Sequence, residues 1–135
     1  MNHWLIKTDP ETYSWEDFKK EGSTSWDGIR NYAARNHLKA MKKGDKVLFY
    51  HSGGECEIRG VAIVTKEFYQ DPTTEESAWV SIFIKSSNAF KNVVSLQQIR
   101  KNTKLKNMLL IKISRLSVMP VTNDEYNIIL ELSEV

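Results

Sequence analysis

The chain holds a single cysteine, Cys56, in 135 residues, so no disulfide can form within it. Its three histidines, His3, His37 and His51, stand far apart and make no close pair of the kind zinc sites use. No metal and no other cofactor is expected. With only six glycines and three prolines, collagen-like and low-complexity sequence is excluded. No apolar run approaches the roughly 18 residues of a membrane span. The opening residues lack the basic segment and long apolar segment of a secretory signal. The expectation is a cytoplasmic protein, neither secreted nor anchored to a membrane. The sequence also lacks G-x-S-x-G, the phosphate-loop pattern and G-x-G-x-x-G, which removes the usual support for serine hydrolases, nucleotide hydrolases and dinucleotide enzymes. Cys56 lies between Glu55 and Glu57, a poor setting for a nucleophilic thiolate.

What remains is ordinary globular composition, 41% hydrophobic and 27% charged. A chain of this length buries roughly 70% of its unfolded surface. We expect one domain over residues 1–135.

Period-two patterns predict strands at 3–7, 46–51, 58–69 and 78–85, and an apolar run predicts another at 109–113. Capping boxes at Ser14, Ser95 and Thr122 predict helix starts, with Gly22 stopping the first helix. A better helix runs over 31–41, where Ala34, Leu38 and Met41 share one face. Residues 23–28 read as loop, 105–108 as a further helical turn, and Tyr126, Ile129 and Leu130 as the buried face of a last helix. Short helices interleaved with strands predict an α+β fold with a curved, mostly antiparallel sheet. Closure into a small barrel would remove its exposed edges.

Charge is unevenly spread. Arg30, Arg35, Lys39, Lys42, Lys43 and Lys46 face only Asp45 in their stretch, and no acid occurs between Ser77 and Asn123. Such a surface suits a polyanion, although solvated helix faces give the same pattern. Trp26 sits in a polar stretch followed by Arg30, Asn31, Tyr32 and Arg35. An indole there either caps the core or stacks on a ligand. A ring that stacks, an amide that reads hydrogen bonds and guanidinium groups that hold an anion together suit a planar ligand near phosphate. Two more polar clusters are Tyr50-His51-Ser52, ahead of a Gly-Gly turn, and the stretch from Ser114 to Val121. For these, a packed tyrosine with a turn and a kinked edge strand are the plain alternatives.

Taken in order, W-L-I-K-T-D-P from Trp4, W-D-G-I-R-N-Y-A-A-R-N from Trp26, F-Y-H-S from Phe49, D-P-T from Asp71 and S-R-L-S-V-M-P-V from Ser114 resemble the EVE-domain family over nearly the whole chain. The resemblance implies a PUA-like fold, a curved β pseudo-barrel with flanking short helices, related to the YTH and ASCH folds. It also implies a pocket for a modified nucleobase, such as a methylated or hydroxymethylated cytosine in DNA or RNA, and a nuclear setting if the source is eukaryotic. Carried over by motif, Trp26 is an aromatic wall. Asn31, Tyr32, Tyr50, His51 and Ser52 line the pocket or bind within it, Arg30 and Arg35 meet charge, and Lys7, Thr8 and Ser117 complete the lining. Where the family commonly has Lys-Ser-Glu-Pro, this chain has Lys7-Thr8-Asp9-Pro10, which keeps the hydroxyl and puts the carboxylate on a shorter arm.

Two other classes stand beside a non-catalytic reader. One is an RNA-modification enzyme or small hydrolase of ASCH-like type, with His51 or Asp9 as its general base. The other is a protein-interaction domain whose basic stretches are incidental.

Overall fold

The computed structural model describes residues 2–134. The strands are β1 (His3–Thr8), β2 (Ser23–Trp26), β3 (Lys46–His51), β4 (Glu57–Gln70), β5 (Val80–Ser95) and β6 (Val118–Val121). The helices are α1 (Trp15–Glu21), α2 (Tyr32–Ala40), α3 (Leu96–Lys101), α4 (Leu109–Lys112) and α5 (Asn123–Glu134). Helix starts follow local chemistry. Ser14 with Asp17, and Ser95 with Gln98, exchange side-chain and backbone bonds in closed capping boxes. Thr122 and Glu125 do the same ahead of α5. Gly22 ends α1, its N–H donating to the Phe18 carbonyl at 2.8 Å.

One six-stranded sheet runs in the order β2-β5-β4-β3-β1-β6. All neighbours are antiparallel except β1 and β3, which are parallel from His3 opposite Lys46 to Thr8 opposite His51. The sheet curls because β4 and β5 shift register at four places, and each bulge adds local twist. The outer strands β2 and β6 are not paired with each other. Helix α2 instead packs against β6, β5 and β4 and so bridges the opening.

The core is aromatic at its centre. Phe49 on β3 is fully buried and stacks on Phe18 of α1, with centroids 5.1 Å apart. Trp15 and Trp26 meet the same ring edge-on at 5.3 and 5.7 Å. Each such pair contributes about 0.5–1.5 kcal/mol beyond area burial. Further along the same face Trp4 is pinned by its indole N–H, which donates to Asp45 at 3.0 Å.

Three elements differ from the sequence pattern. Residues 23–26 form strand β2, because Ser23, Thr24 and Ser25 hide a strand in small polar side chains that find their partner on distant β5. Residues 109–112 form helix α4, anchored by Ile111 and Lys112 N–H groups on the Met108 carbonyl. A short apolar run does not separate strand from helix by periodicity. Strand β5 runs on to Ser95, ten residues beyond the alternating apolar stretch, carried by pairing with β4 rather than by its own pattern. The expected turn at 105–108 is present, closed by the Met108 N–H on the Leu105 carbonyl at 3.0 Å, and a 3-10 turn at Thr103–Leu105 leads into it.

Candidate functional site

A cleft of about 390 Å³ opens beside Trp26. The first strand supplies Lys7 and Thr8 from its end, the loop after it supplies Asp9, Thr12 and Tyr13, and β2 with its following turn supplies Thr24, Ser25, Trp26, Asp27 and Ile29. Its volume lies within the roughly 300–1,000 Å³ of small-ligand pockets. Trp26 belongs to the core, is 9% exposed and lines the cleft with what remains open. Tyr13 meets it edge-on, with ring centroids 6.0 Å apart.

Local bonds hold the walls. The Thr8 hydroxyl donates to the Tyr13 carbonyl at 2.7 Å, which folds the 9–13 loop back over the end of β1. Tyr13 is anchored in turn through its hydroxyl to Glu21, and burial together with that bond pushes its phenol up from its ordinary value. Ser25 bonds to Asp27 and shares a hydrogen bond with the Tyr69 hydroxyl. The Lys7 ammonium donates to the Ser114 carbonyl at 2.7 Å and lies 5.9 Å from the Tyr50 ring centroid. Burial lowers its pKa from the ordinary lysine value. An ammonium has three donors, so two remain for a ligand.

After Trp26 the chain turns at Gly28, whose φ of +82° suits a residue without a side chain. Asp71 fixes that turn. Its fully buried carboxylate accepts from the Gly28 N–H at 2.7 Å, from Arg30 at 2.9 Å, and from the Thr73 backbone and hydroxyl at 2.7 and 2.6 Å. Burial opposes ionisation, but the bonds from Thr73, Gly28 and Arg30 outweigh it and hold the carboxyl well below the usual range.

The sequence-predicted residues divide. Lys7, Thr8 and Trp26 come together in the cleft; the others lie outside its lining. Asn31 is the N-cap of α2, its side-chain oxygen accepting from the Ala34 N–H at 2.9 Å. Arg30 clamps Asp71 and Thr73, its guanidinium 5.6 Å from the Trp79 ring. Tyr32 and Arg35 lie on the outer face of α2. Tyr50 is buried, and burial raises its phenol. His51 is buried too, with its Nε2 accepting from the Trp15 N–H at 3.0 Å, so it caps α1 rather than facing the cleft. Ser52 donates to the Thr8 carbonyl at 3.2 Å. The Ser117 carbonyl accepts from the Lys7 N–H at 3.0 Å. The amide and guanidinium groups are therefore not gathered around the indole, contrary to the expectation from their closeness in sequence. Thr12, Tyr13, Thr24, Ser25, Asp27 and Ile29 are the lining residues that sequence reasoning missed, and Asp9 it named only as a general base.

The profile of the EVE domain matches residues 2–132. The chain belongs to the EVE-domain family. Human thymocyte nuclear protein 1 is 33% identical to this EVE domain, over 98% of the chain and 74% of that protein. The structure described as human THYN1 protein in complex with 5-methylcytosine containing DNA superposes with a TM-score of 0.92 at 34% identity, covering all of this chain and 99% of that one. A YTH domain from Zygosaccharomyces rouxii, solved with N6-methyladenosine RNA, aligns at a TM-score of 0.63 and 15% identity over 98% of this chain and 86% of that one, a likeness of fold alone. The curled sheet with flanking helices is thus the PUA-like α+β architecture. Among the described residues, no helix is long and apolar enough to cross a membrane.

Proposed function

We propose that this EVE domain, taken as a single unit over residues 1–135, is a non-catalytic reader that captures a modified nucleobase of DNA or RNA in the Trp26 cleft. One observation carries the reading: an indole, held edge-on by Phe49 and Tyr13, lines an open cleft together with hydroxyls, carboxylates and one ammonium. The ring offers a base its stacking surface. Asp27 and Asp9 accept from an exocyclic amino group, and Lys7 donates to a ring nitrogen or carbonyl oxygen. The human relative solved with 5-methylcytosine DNA supports a methylated cytosine as the first ligand to try.

A base inside a duplex hides both faces, so it must be flipped out or already unpaired. Flipping costs a few kcal/mol. Stacking returns roughly 1–3 kcal/mol per base, and hydrogen bonds to Lys7 and the carboxylates add to it. The modifying group adds discrimination only where it meets a wall, and Thr12, Thr24 and Ile29 are the groups placed to supply one. Such a reader calls for a setting where nucleic acid is found, the cytoplasm or, in a eukaryotic cell, the nucleus.

The test is a titration of single- and double-stranded oligonucleotides that differ only in one 5-methylcytosine. Trp26→Ala is expected to lower affinity for the modified probe about 5- to 100-fold. Thr24→Val, which keeps shape and removes a hydroxyl, guards against a fold defect. Equal binding of modified and unmodified probes, unaltered in both variants, overturns the reading.

A further inference from the structure

The cleft contains two carboxylates, Asp9 and Asp27, against one ammonium, Lys7. A phosphodiester gains little there. If a base enters, the backbone on either side of it must find its cations elsewhere, so the inference that follows rests on the reading above.

The outer face of α2 has the missing chemistry. Tyr32 and Phe68 are the large aromatic side chains that stay exposed, at 61% and 45%. Each carries a cation from α2, one turn apart: the Arg35 guanidinium lies 5.1 Å from the Tyr32 ring centroid and the Lys39 ammonium 5.5 Å from that of Phe68. Tyr32 also leans on Trp79, centroids 4.9 Å apart. Trp79 is buried beneath that contact, and its indole N–H donates to Glu76 at 3.0 Å. Arg35 is only half committed. One guanidinium nitrogen donates to the Ala78 carbonyl at 2.9 Å, while its Nε is buried without an acceptor. Swinging towards a phosphate gives up one bond and frees a stranded donor.

The chain leads from the cleft to this face within a few residues. Ile29 lines the cleft, Arg30 follows it, and Tyr32 opens α2. On the strand side, the Tyr69 hydroxyl holds the cleft residue Ser25, and Phe68 is its chain neighbour. We infer that the Tyr32–Arg35 and Phe68–Lys39 pairs form a track for the nucleotides flanking the captured base, in a strand that is single at that point. Bases stack on the layered Tyr32–Arg35 pair and on Phe68, and Arg35 and Lys39 take the phosphates between them. A folded protein surface fits less well, because the face offers separated ring-and-cation pairs rather than a contiguous apolar patch.

The test compares two probes, the nucleoside 5-methyl-2′-deoxycytidine and a single-stranded nonamer with one central 5-methylcytosine. Each is titrated against the full chain and against Tyr32→Ala, Lys39→Gln and Trp26→Ala. Tyr32→Ala is expected to weaken the nonamer about 5- to 100-fold and to leave the nucleoside unchanged. Lys39→Gln is expected to make the salt dependence shallower by about 0.7 per lost phosphate contact. If both α2 variants bind the nonamer as the parent does, the track is refuted; the cleft stands when Trp26→Ala fails on both probes while keeping the parent's circular dichroism spectrum. If Trp26→Ala binds both probes normally while the α2 variants fail on the nonamer, the cleft reading falls and the flanking role of the track falls with it. Thermal midpoints equal to the parent's certify the exposed-site variants as folded.

Discussion

The backbone N–H of Trp15 donates to Nε2 of His51 across 3.0 Å in the buried join between α1 and β3. The bond requires a neutral imidazole with its proton on Nδ1. Burial, with Arg59 nearby, lowers the His51 pKa below its ordinary value. A histidine lowered in the folded state binds its proton more readily when unfolded, so acid favours unfolding. Its contribution is complete above the unfolded value of about 6.5 and is lost as pH falls through the folded value. His3 and His37 are lowered in the same sense, again chiefly by burial. We predict a falling thermal midpoint from pH 7.5 to 5.5. His51→Gln, which retains an acceptor for Trp15, should flatten that slope; an unchanged slope would contradict the assignment. His51→Ala should cost about 1–3 kcal/mol through the stranded N–H.

Asp71 joins the turn after Trp26 to the turn after β4. Asp71→Asn keeps the shape but loses charge in bonds to Gly28, Arg30 and Thr73. Charge-assisted bonds contribute about 1.5–3 kcal/mol each, but the exposed Arg30 recovers much of its share in water. We predict a net loss of about 2–3 kcal/mol in denaturant unfolding. Because the Asp71 carboxyl is lowered in the folded state, the parent should lose this contribution only as pH falls below about 3.9, a window separate from that of the histidines.

Gly60 lies where β4 passes under α1. A methyl group there would sit 2.6 Å from the Trp15 ring and 2.7 Å from the Asn88 carbonyl oxygen. Neither neighbour is a loose side-chain tip. Gly60→Ala should destabilise by about 1–3 kcal/mol or more, as overpacking does, read from the urea midpoint at unchanged m-value.

Lys7 separates function from stability. Its ammonium is half-buried on one carbonyl bond, and burial opposes its charge. Lys7→Met should leave the thermal midpoint within a few degrees of the parent. Affinity for the 5-methylcytosine oligonucleotide should fall about tenfold, the worth of a hydrogen bond from a charged donor. A loss of stability without a loss of binding would make Lys7 structural.

The helix starts were legible because a capping box is local: Ser14, Ser95 and Thr122 carry their own partners three residues on. Strand β2 was not, because its partner on β5 lies some sixty residues away and its side chains are small and polar. The same contrast governs the cleft. Trp26, Lys7 and Thr8 could be read from their motifs, whereas Tyr13 reaches the site only through the Thr8–Tyr13 bond that folds its loop back. Asn31 and Arg35 lie outside the cleft lining for the converse reason. They are close to Trp26 in sequence, but α2 begins at Asn31, and its winding carries Tyr32 and Arg35 round to the outer face.

Strand β1 brings Lys7 and Thr8 to the cleft, yet its two neighbours are β3 and β6. A parallel neighbour cannot be reached through a tight hairpin, and β6 lies more than a hundred residues along the chain. The earliest of these six strands in the chain is thus the last to be flanked on both sides. A nascent chain cut short before Val118 leaves β1 as a bare edge, with the binding hollow missing one of its supports, and such fragments should aggregate rather than bind.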